Sequence, residues 1–280
     1  MIYLSHVDTK RQDMIVQAKF LEQSHKDVGI THPLVILKTD ERKKYKKYSV
    51  TDVNYAMYNR YISVMEYIKN HSLQKETICV LDCDMFFFKE YIPIEVTNNE
   101  VVSQEWYGAE RWVNEWKWFL DSDFDHYQKD KKFDNTVPNK LYTPYYMKGE
   151  TLYNLYKTAL NVDNILRKKH KWWMTELLAV NYASWYLNLK ITYDTIAAVR
   201  WFLFENNPKG KHLENYSLIH YCNDIEGIKP SNIKKYHMHD GIHMIKSIKN
   251  FLSTDKPKIE WDKKTLDFFI KMYKGIDNEN

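Results

Sequence analysis

The stretch "ICVLDCDMFFFK", residues 78–89, decides how this chain is read. Ile78, Val80 and Leu81 form a short apolar run of the kind found in strands covered on both faces, as in parallel sheets. The run ends in two carboxylates one residue apart, Asp82 and Asp84, and then turns apolar again. In parallel α/β proteins the carboxyl end of a strand is where ligands are bound.

Upstream, "MIYLSHV" is a strand, and "RQDMIVQAKFLEQSHKDVG" carries Met14, Ile15, Ala18, Phe20 and Leu21 at roughly helical spacing, with Gly29 as the stop. "HPLVILKTD" is a second strand, and the apolar helix "DVNYAMYNRYISVMEYIKN" leads into the strand that ends at Asp82. The first ninety residues therefore spell β-α-β-α-β, which predicts a mixed, mainly parallel sheet flanked by helices. Downstream, "VVSQEWYG" and "YTPYYMKG" are strand candidates on either side of the polar excursion "DSDFDHYQKDKKFDNTVPNK", which has the composition of a long surface loop. "ETLYNLYKTALNVDNILRKKH" and "WMTELLAVNYASWYLN" are helices, and "LKITYDTI" and "YSLIHYC" are late strands. No internal repeat or low-complexity linker interrupts the pattern. One domain over residues 1–230, with residues 231–280 as a helical extension packed back on it, is the simplest organisation.

Composition narrows the classes of function. The 280 residues can bury a sizeable core, and 41 Lys+Arg against 37 Asp+Glu leave a net charge of +4, too slight for a nucleic-acid coat or a trap for acidic substrates. No apolar run is long enough to span a bilayer and no secretory signal opens the chain, so a soluble, unprocessed protein is expected. Cys79, Cys83 and Cys222 are odd in number and lack metal-ligand spacing, which points to reduced thiols and a cytoplasmic setting. The basic runs "ERKKYKKY" and "LRKKHKWW" are solvated faces or sites of peripheral contact with anionic lipid. The aromatic clusters "EWYGAERWVNEWKWF" and "KWW" are core packing or platforms for sugar rings.

Three features carry chemistry. Asp82 and Asp84, leaving one strand two residues apart, can reach a single small volume, and carboxylate oxygens are the preferred ligands of Mg²⁺ or Mn²⁺. An isolated D-x-D is otherwise a pair of solvated loop acids; the apolar strand before it sets this one apart. In "LIHYCNDIEGIKP", residues 218–230, a strand end delivers His220, an imidazole suited to Mn²⁺ or else a satisfied core histidine. Gly227 and Lys229 follow, one allowing close backbone approach to phosphate and the other supplying a charge to it, unless Lys229 is a surface cation. In "KWWMTELLAVN" a lone acid, Glu176, opens a helix among apolar residues. It is either a first-turn glutamate favoured by the helix dipole or a carboxylate placed to stabilise a cationic sugar centre. His237, His239 and His243 are alternative metal ligands without an acid cluster beside them.

"VLDCDMFF" resembles the D-x-D strand of GT-A-fold nucleotide-sugar glycosyltransferases, and "HYCNDIEGIKP" resembles the His…Gly…Lys-Pro segment of the retaining group that includes glycogenin and the lipopolysaccharide galactosyltransferases. "TELLAVN" is similar to that group's acid-containing D-Q-D-x-L-N stretch, and the order of motifs is similar too in peptidyl serine galactosyltransferases and hydroxyproline arabinosyltransferases. The resemblance implies a GT-A (Rossmann-like) fold and a Mn²⁺- or Mg²⁺-dependent enzyme. It would move a sugar from a UDP-sugar to a hydroxyl of a glycan or protein acceptor, with retention of configuration. It implies Asp82, Asp84 and His220 as metal ligands, Asp82, Gly227 and Lys229 at the diphosphate, and Ser5, His6, Lys38 and Asp40 at the nucleoside. Three positions depart from the pattern: His220 and Gly227 are further apart, Ser231 replaces a tryptophan, and Leu177 falls where the group has a glutamine. Two alternatives stand beside it. One is a haloacid-dehalogenase-like phosphatase using Asp82 and Asp84 around Mg²⁺; the other is a non-catalytic nucleotide-sugar-binding module.

Overall fold

The computed structural model describes residues 1–87, 89–105, 139–169, 171, 175–194, 196–199 and 217–220. The strands are β1 (Ile2–Asp8), β2 (Leu34–Thr39), β3 (Thr77–Leu81), β4 (Met85–Phe87), β5 (Glu100–Glu105), β6 (Leu141–Lys148), β7 (Lys190–Tyr193), β8 (Ala197–Val199) and β9 (Leu218–His220). The helices are α1 (Gln12–Val28), α2 (Met57–Asn70), α3 (Gly149–Lys169) and α4 (Thr175–Tyr186), with a 3-10 turn at Glu41–Lys44. Six strands form one sheet in the order β2-β1-β3-β6-β5-β7, and β4-β9-β8 form a small second sheet. β1, β3, β5 and β7 share one direction and β6 runs against them, giving the mixed, mainly parallel sheet expected.

By packing, the chain separates into two compact units interleaved in sequence. One comprises Met1–His6, Thr39–Leu81 and Pro93–Thr195; the other comprises Val7–Lys38, Asp82–Ile92 and the described residues from Ile196 onward. The boundary expected near residue 230, the tail 231–280 and all but the last two residues of the excursion at 121–140 lie outside the described residues.

The first unit is built on β3. Ile78, Cys79, Val80 and Leu81 are at most 1% exposed, as a run without alternation requires of a central strand. α3 packs on β3 and β6, α4 packs on β6 and α3, and α2 packs on α3. Burial of each large aliphatic side chain contributes about 1.5–3 kcal/mol. Gly149 joins β6 to α3 where its N–H donates to the Glu76 carbonyl at 2.8 Å, and a Cβ there would run into the Leu73 carbonyl oxygen. Asn181 of α4 closes a two-way bond on β6: its Oδ1 accepts from Leu141 N–H at 2.6 Å and its Nδ2 donates to the Leu141 carbonyl at 3.0 Å. α2 starts at Met57, five residues later than its apolar pattern suggests. Asp52 is drawn off to accept two bonds from Arg167, at 3.0 and 2.6 Å, and a third from Asn54 N–H.

In the second unit α1 ends as its sequence predicts. Gly29 adopts a left-handed φ of 70°, its N–H donates to the Lys26 carbonyl, and Ile30 N–H donates to the His25 carbonyl. The side chains of Val7, Ala18 and Cys83 form a small core with Met14, Ile15 and Ile36 against it.

Candidate metal and donor site

β3 ends at Leu81, and Asp82–Asp84 turn directly into β4. β4 pairs antiparallel with β9, with Met85 opposite His220, and β9 pairs parallel with β8. Lys89 N–H donates to the Ser217 carbonyl at 3.3 Å and Ser217 N–H to the Ile196 carbonyl at 3.0 Å, which extends the pairing past the strand ends. This ladder carries a histidine 136 residues downstream back to the aspartate turn. His220 Nε2 lies 3.3 Å from Asp84 Oδ1 and 3.5 Å from Asp82 Oδ2. One ligand atom from each of the three residues lies within 4.8 Å of the other two.

Exposure is graded across the group: the side chain of His220 is 3% exposed, Asp84 12% and Asp82 25%. The histidine is the buried anchor and Asp82 the open side. Two hard carboxylate oxygens and one borderline imidazole nitrogen at this separation fit a divalent cation, and the exposed Asp82 side leaves room for further oxygen ligands. The thiol between the carboxylates points elsewhere: Cys83 Sγ donates to Gln17 Oε1 at 3.2 Å in a buried contact, so the donor set is oxygen and nitrogen only.

The other sequence candidates sit as follows. Ser5 is 1% exposed, and its hydroxyl has no hydrogen-bond partner among the described residues. His6 is 6% exposed and its Nε2 is 3.1 Å from Thr39 Oγ1, so the carboxyl ends of β1 and β2 are bonded through side chains. Lys38 is exposed and pairs with Glu22 at 3.3 Å. Asp40 is committed locally, capping the 3-10 turn at Arg42 N–H and pairing with the Arg42 guanidinium at 2.7 Å. Glu176 opens α4 as expected; its Oε1 is 3.1 Å from Arg60 Nη1, its N–H donates to the Tyr55 hydroxyl, and its carbonyl accepts from the Tyr61 hydroxyl. Gly227, Lys229, the histidines at 237, 239 and 243, and the aromatic cluster at 106–119 lie outside the described residues. In "ERKKYKKY", Arg42, Lys44 and Lys47 are paired to Asp40, Glu41 and Glu66, which removes much of the run's free charge.

Several residues that shape these regions were not marked from the sequence. Asp8 closes β1, is fully buried, and accepts from Lys10 N–H at 3.0 Å. Glu90, just past β4, accepts from Thr31 N–H, the Thr31 hydroxyl, His32 N–H and His32 Nδ1, all through Oε1 at 2.7–3.0 Å. Asp163, on α3, is fully buried, and burial lifts its carboxyl to about 8; the nearby Glu176 carboxylate adds to the rise, while Thr175, Arg167 and Tyr61 oppose it. The signal for Asp163 was a charged residue on the buried face of an amphipathic helix.

No family model and no curated protein matches this chain. Solved structures do. A bifunctional glycosyltransferase, WbbM, in its apo form is similar over 98% of this chain and 51% of its own, at 11% identity and a TM-score of 0.50. The galactosyltransferase LgtC, solved with donor and acceptor sugar analogs, is similar over 94% of this chain and 100% of its own, at 11% identity and a TM-score of 0.48. A glycosyltransferase involved in glycosylation of the major capsid of PBCV-1 is similar over 80% of this chain and 94% of its own, at 10% identity and a TM-score of 0.48. The chain thus spans about half the length of WbbM, and it is the WbbM likeness that carries the assignment of fold.

Proposed function

We propose that this chain, whose sheet has the GT-A-like arrangement of solved glycosyltransferases, is a metal-dependent glycosyltransferase that moves a sugar from a UDP-sugar donor to a hydroxyl of a glycan or protein acceptor, with retention of configuration. The observation that carries this reading is the convergence of Asp82, Asp84 and His220 at the end of β3 in a sheet of this fold.

In this reading Asp82, Asp84 and His220 would hold Mn²⁺ or Mg²⁺, which would supply positive charge for a departing diphosphate. His220, buried against both carboxylates, presents Nε2 to the metal side. Asp82, Gly227 and Lys229 are assigned to the diphosphate, where the lysine would add positive charge for the leaving oxygen. Ser5, His6, Lys38 and Asp40 are assigned to the nucleoside. Glu176 is assigned the electrostatic role beside the cationic sugar centre, with the Arg60 guanidinium fixing its Oε1. Residues 1–230 form the transferase domain and 231–280 its extension. The buried, reduced thiols of Cys79 and Cys83 support a cytoplasmic setting. No helix among the described residues is long and apolar enough to cross a membrane. The phosphatase alternative is not favoured: Asp82 and Asp84 follow the third strand of a glycosyltransferase-like sheet.

The test is incubation with a panel of UDP-sugars and Mn²⁺, following UDP release and the anomeric signals of the product by NMR. Transfer or slow hydrolysis with the donor's anomeric configuration kept is expected. A donor that binds but is neither hydrolysed nor transferred to any acceptor would replace this reading with the non-catalytic binding module.

A further inference from the structure

α1 buries two polar side chains in the stripe that otherwise supplies core. Gln17, Leu21 and Ser24 are four and three residues apart and so lie on one helical face; Gln17 is 5% exposed, and Leu21 and Ser24 are fully buried. A buried amide and a buried hydroxyl are costly unless bonded, and both are bonded to the same segment. Cys83 Sγ donates to Gln17 Oε1 at 3.2 Å, and Phe87 N–H donates to Ser24 Oγ at 3.1 Å. The Ser24 hydroxyl is itself oriented by donating to the Leu21 carbonyl at 2.9 Å.

These two bonds bracket the aspartate turn and β4. The first turns the Cys83 side chain onto α1, into the core made by Val7 and Ala18, and leaves the carboxylates on either side of it to face His220. The second fixes the end of β4, whose pairing with β9 sets Met85 opposite His220. We infer that Gln17 and Ser24 are positioning residues: α1 latches the segment from Cys83 to Phe87 at both ends and holds the two carboxylates and the imidazole at ligating separation. The inference rests on the reading of Asp82, Asp84 and His220 as a cation site. Gln17 and Ser24 act through Cys83 and Phe87, a step further out than partners bonded to the ligands themselves. Loss of such direct partners commonly changes metal affinity by about 10- to 100-fold, so a smaller effect is expected of Gln17 and Ser24.

The test is titration of the full chain with Mn²⁺, counting free ion by electron paramagnetic resonance, alongside thermal unfolding without metal. Gln17→Leu, Ser24→Ala and Cys83→Ala are expected to weaken Mn²⁺ binding measurably, by up to about 10-fold. Cys83→Ser, whose hydroxyl still donates to Gln17, is expected to bind close to wild type. A merely structural role would lower the unfolding midpoint and leave Mn²⁺ affinity unchanged in the folded protein, and that result overturns the inference. Should Gln17→Leu fail to fold, the contrast between Cys83→Ser and Cys83→Ala decides the matter, since equal affinities for the two would remove the latch. Absence of Mn²⁺ binding by the wild type would overturn the cation site itself; wild-type binding with unaltered variants would overturn only the latch.

Discussion

Replacing Asp163 with asparagine is expected to stabilise the protein increasingly as pH rises from 5 to 8. Asp163 is fully buried on α3, facing Tyr61 of α2 and Thr175 and Glu176 of α4, with Arg167 one turn along its own helix. Burial holds its carboxyl to about 8, against 3.8 for an ordinary aspartate. Because the folded-state value is raised, the stability that the protonated group confers is fully present below the unfolded value of 3.8 and is lost as pH climbs toward 8. Each pH unit in that window removes about 1.4 kcal/mol, so the wild type loses on the order of 3–4 kcal/mol between pH 5 and pH 8 that the variant, unable to ionise there, retains. Urea unfolding of both proteins at pH 5, 6.5 and 8 measures this directly, since other titrating groups are shared and cancel in the difference. Any fixed cost of the amide enters equally at every pH. A difference in stability that does not change between pH 5 and pH 8 would refute the reasoning.

Glu90→Gln is expected to lower stability at neutral pH. The Thr31 hydroxyl first, and then His32 and the two backbone N–H groups, hold the Glu90 carboxyl down to about 2 against the opposing effect of burial. Because the folded value is depressed, its contribution is present above the unfolded 4.5 and lost as pH falls toward 2, so chemical unfolding should show the gap between wild type and variant closing over that acid range. Gly149→Ala should cost about 1–3 kcal/mol in the same assay, because the added methyl meets the Leu73 carbonyl oxygen and backbone must shift to admit it. Arg167→Met should cost roughly 3 kcal/mol. It strips Asp52 of both guanidinium bonds and removes a cation stacked 3.6 Å from the Tyr55 ring centroid, and a neutral outcome by thermal unfolding would show that the pair contributes no net stability.

The fold was legible where the chain is continuous and periodic. The β-α-β-α-β opening, the Gly29 stop and the buried run of β3 all follow from apolar spacing that local physics enforces. β4 and β8 were not legible, because three residues are too few to show alternation and Met85–Phe87 reads as an undifferentiated apolar stretch. The grouping of Asp82, Asp84 and His220 was legible from their places at the ends of apolar strands and from the resemblance of the two motifs; the β4–β9 pairing that joins them is long-range and leaves no local trace. Gln17 and Ser24 carried a weak signal, polar residues in an apolar helical stripe, but a sequence does not say which partner satisfies them. Glu176 was noticed as a lone acid, whereas its partner Arg60 lay 116 residues away inside the apolar pattern of α2.

The central claim is that Asp82, Asp84 and His220 bind a divalent cation that in turn holds a uridine diphosphate. Calorimetric titration of UDP into the protein with Mn²⁺, with EDTA, and into an Asp84→Ala variant tests it most directly. Binding with Mn²⁺ that disappears both with EDTA and in Asp84→Ala is the result expected. UDP that binds equally well without metal and without Asp84, or that does not bind under any of the three conditions, would contradict the account.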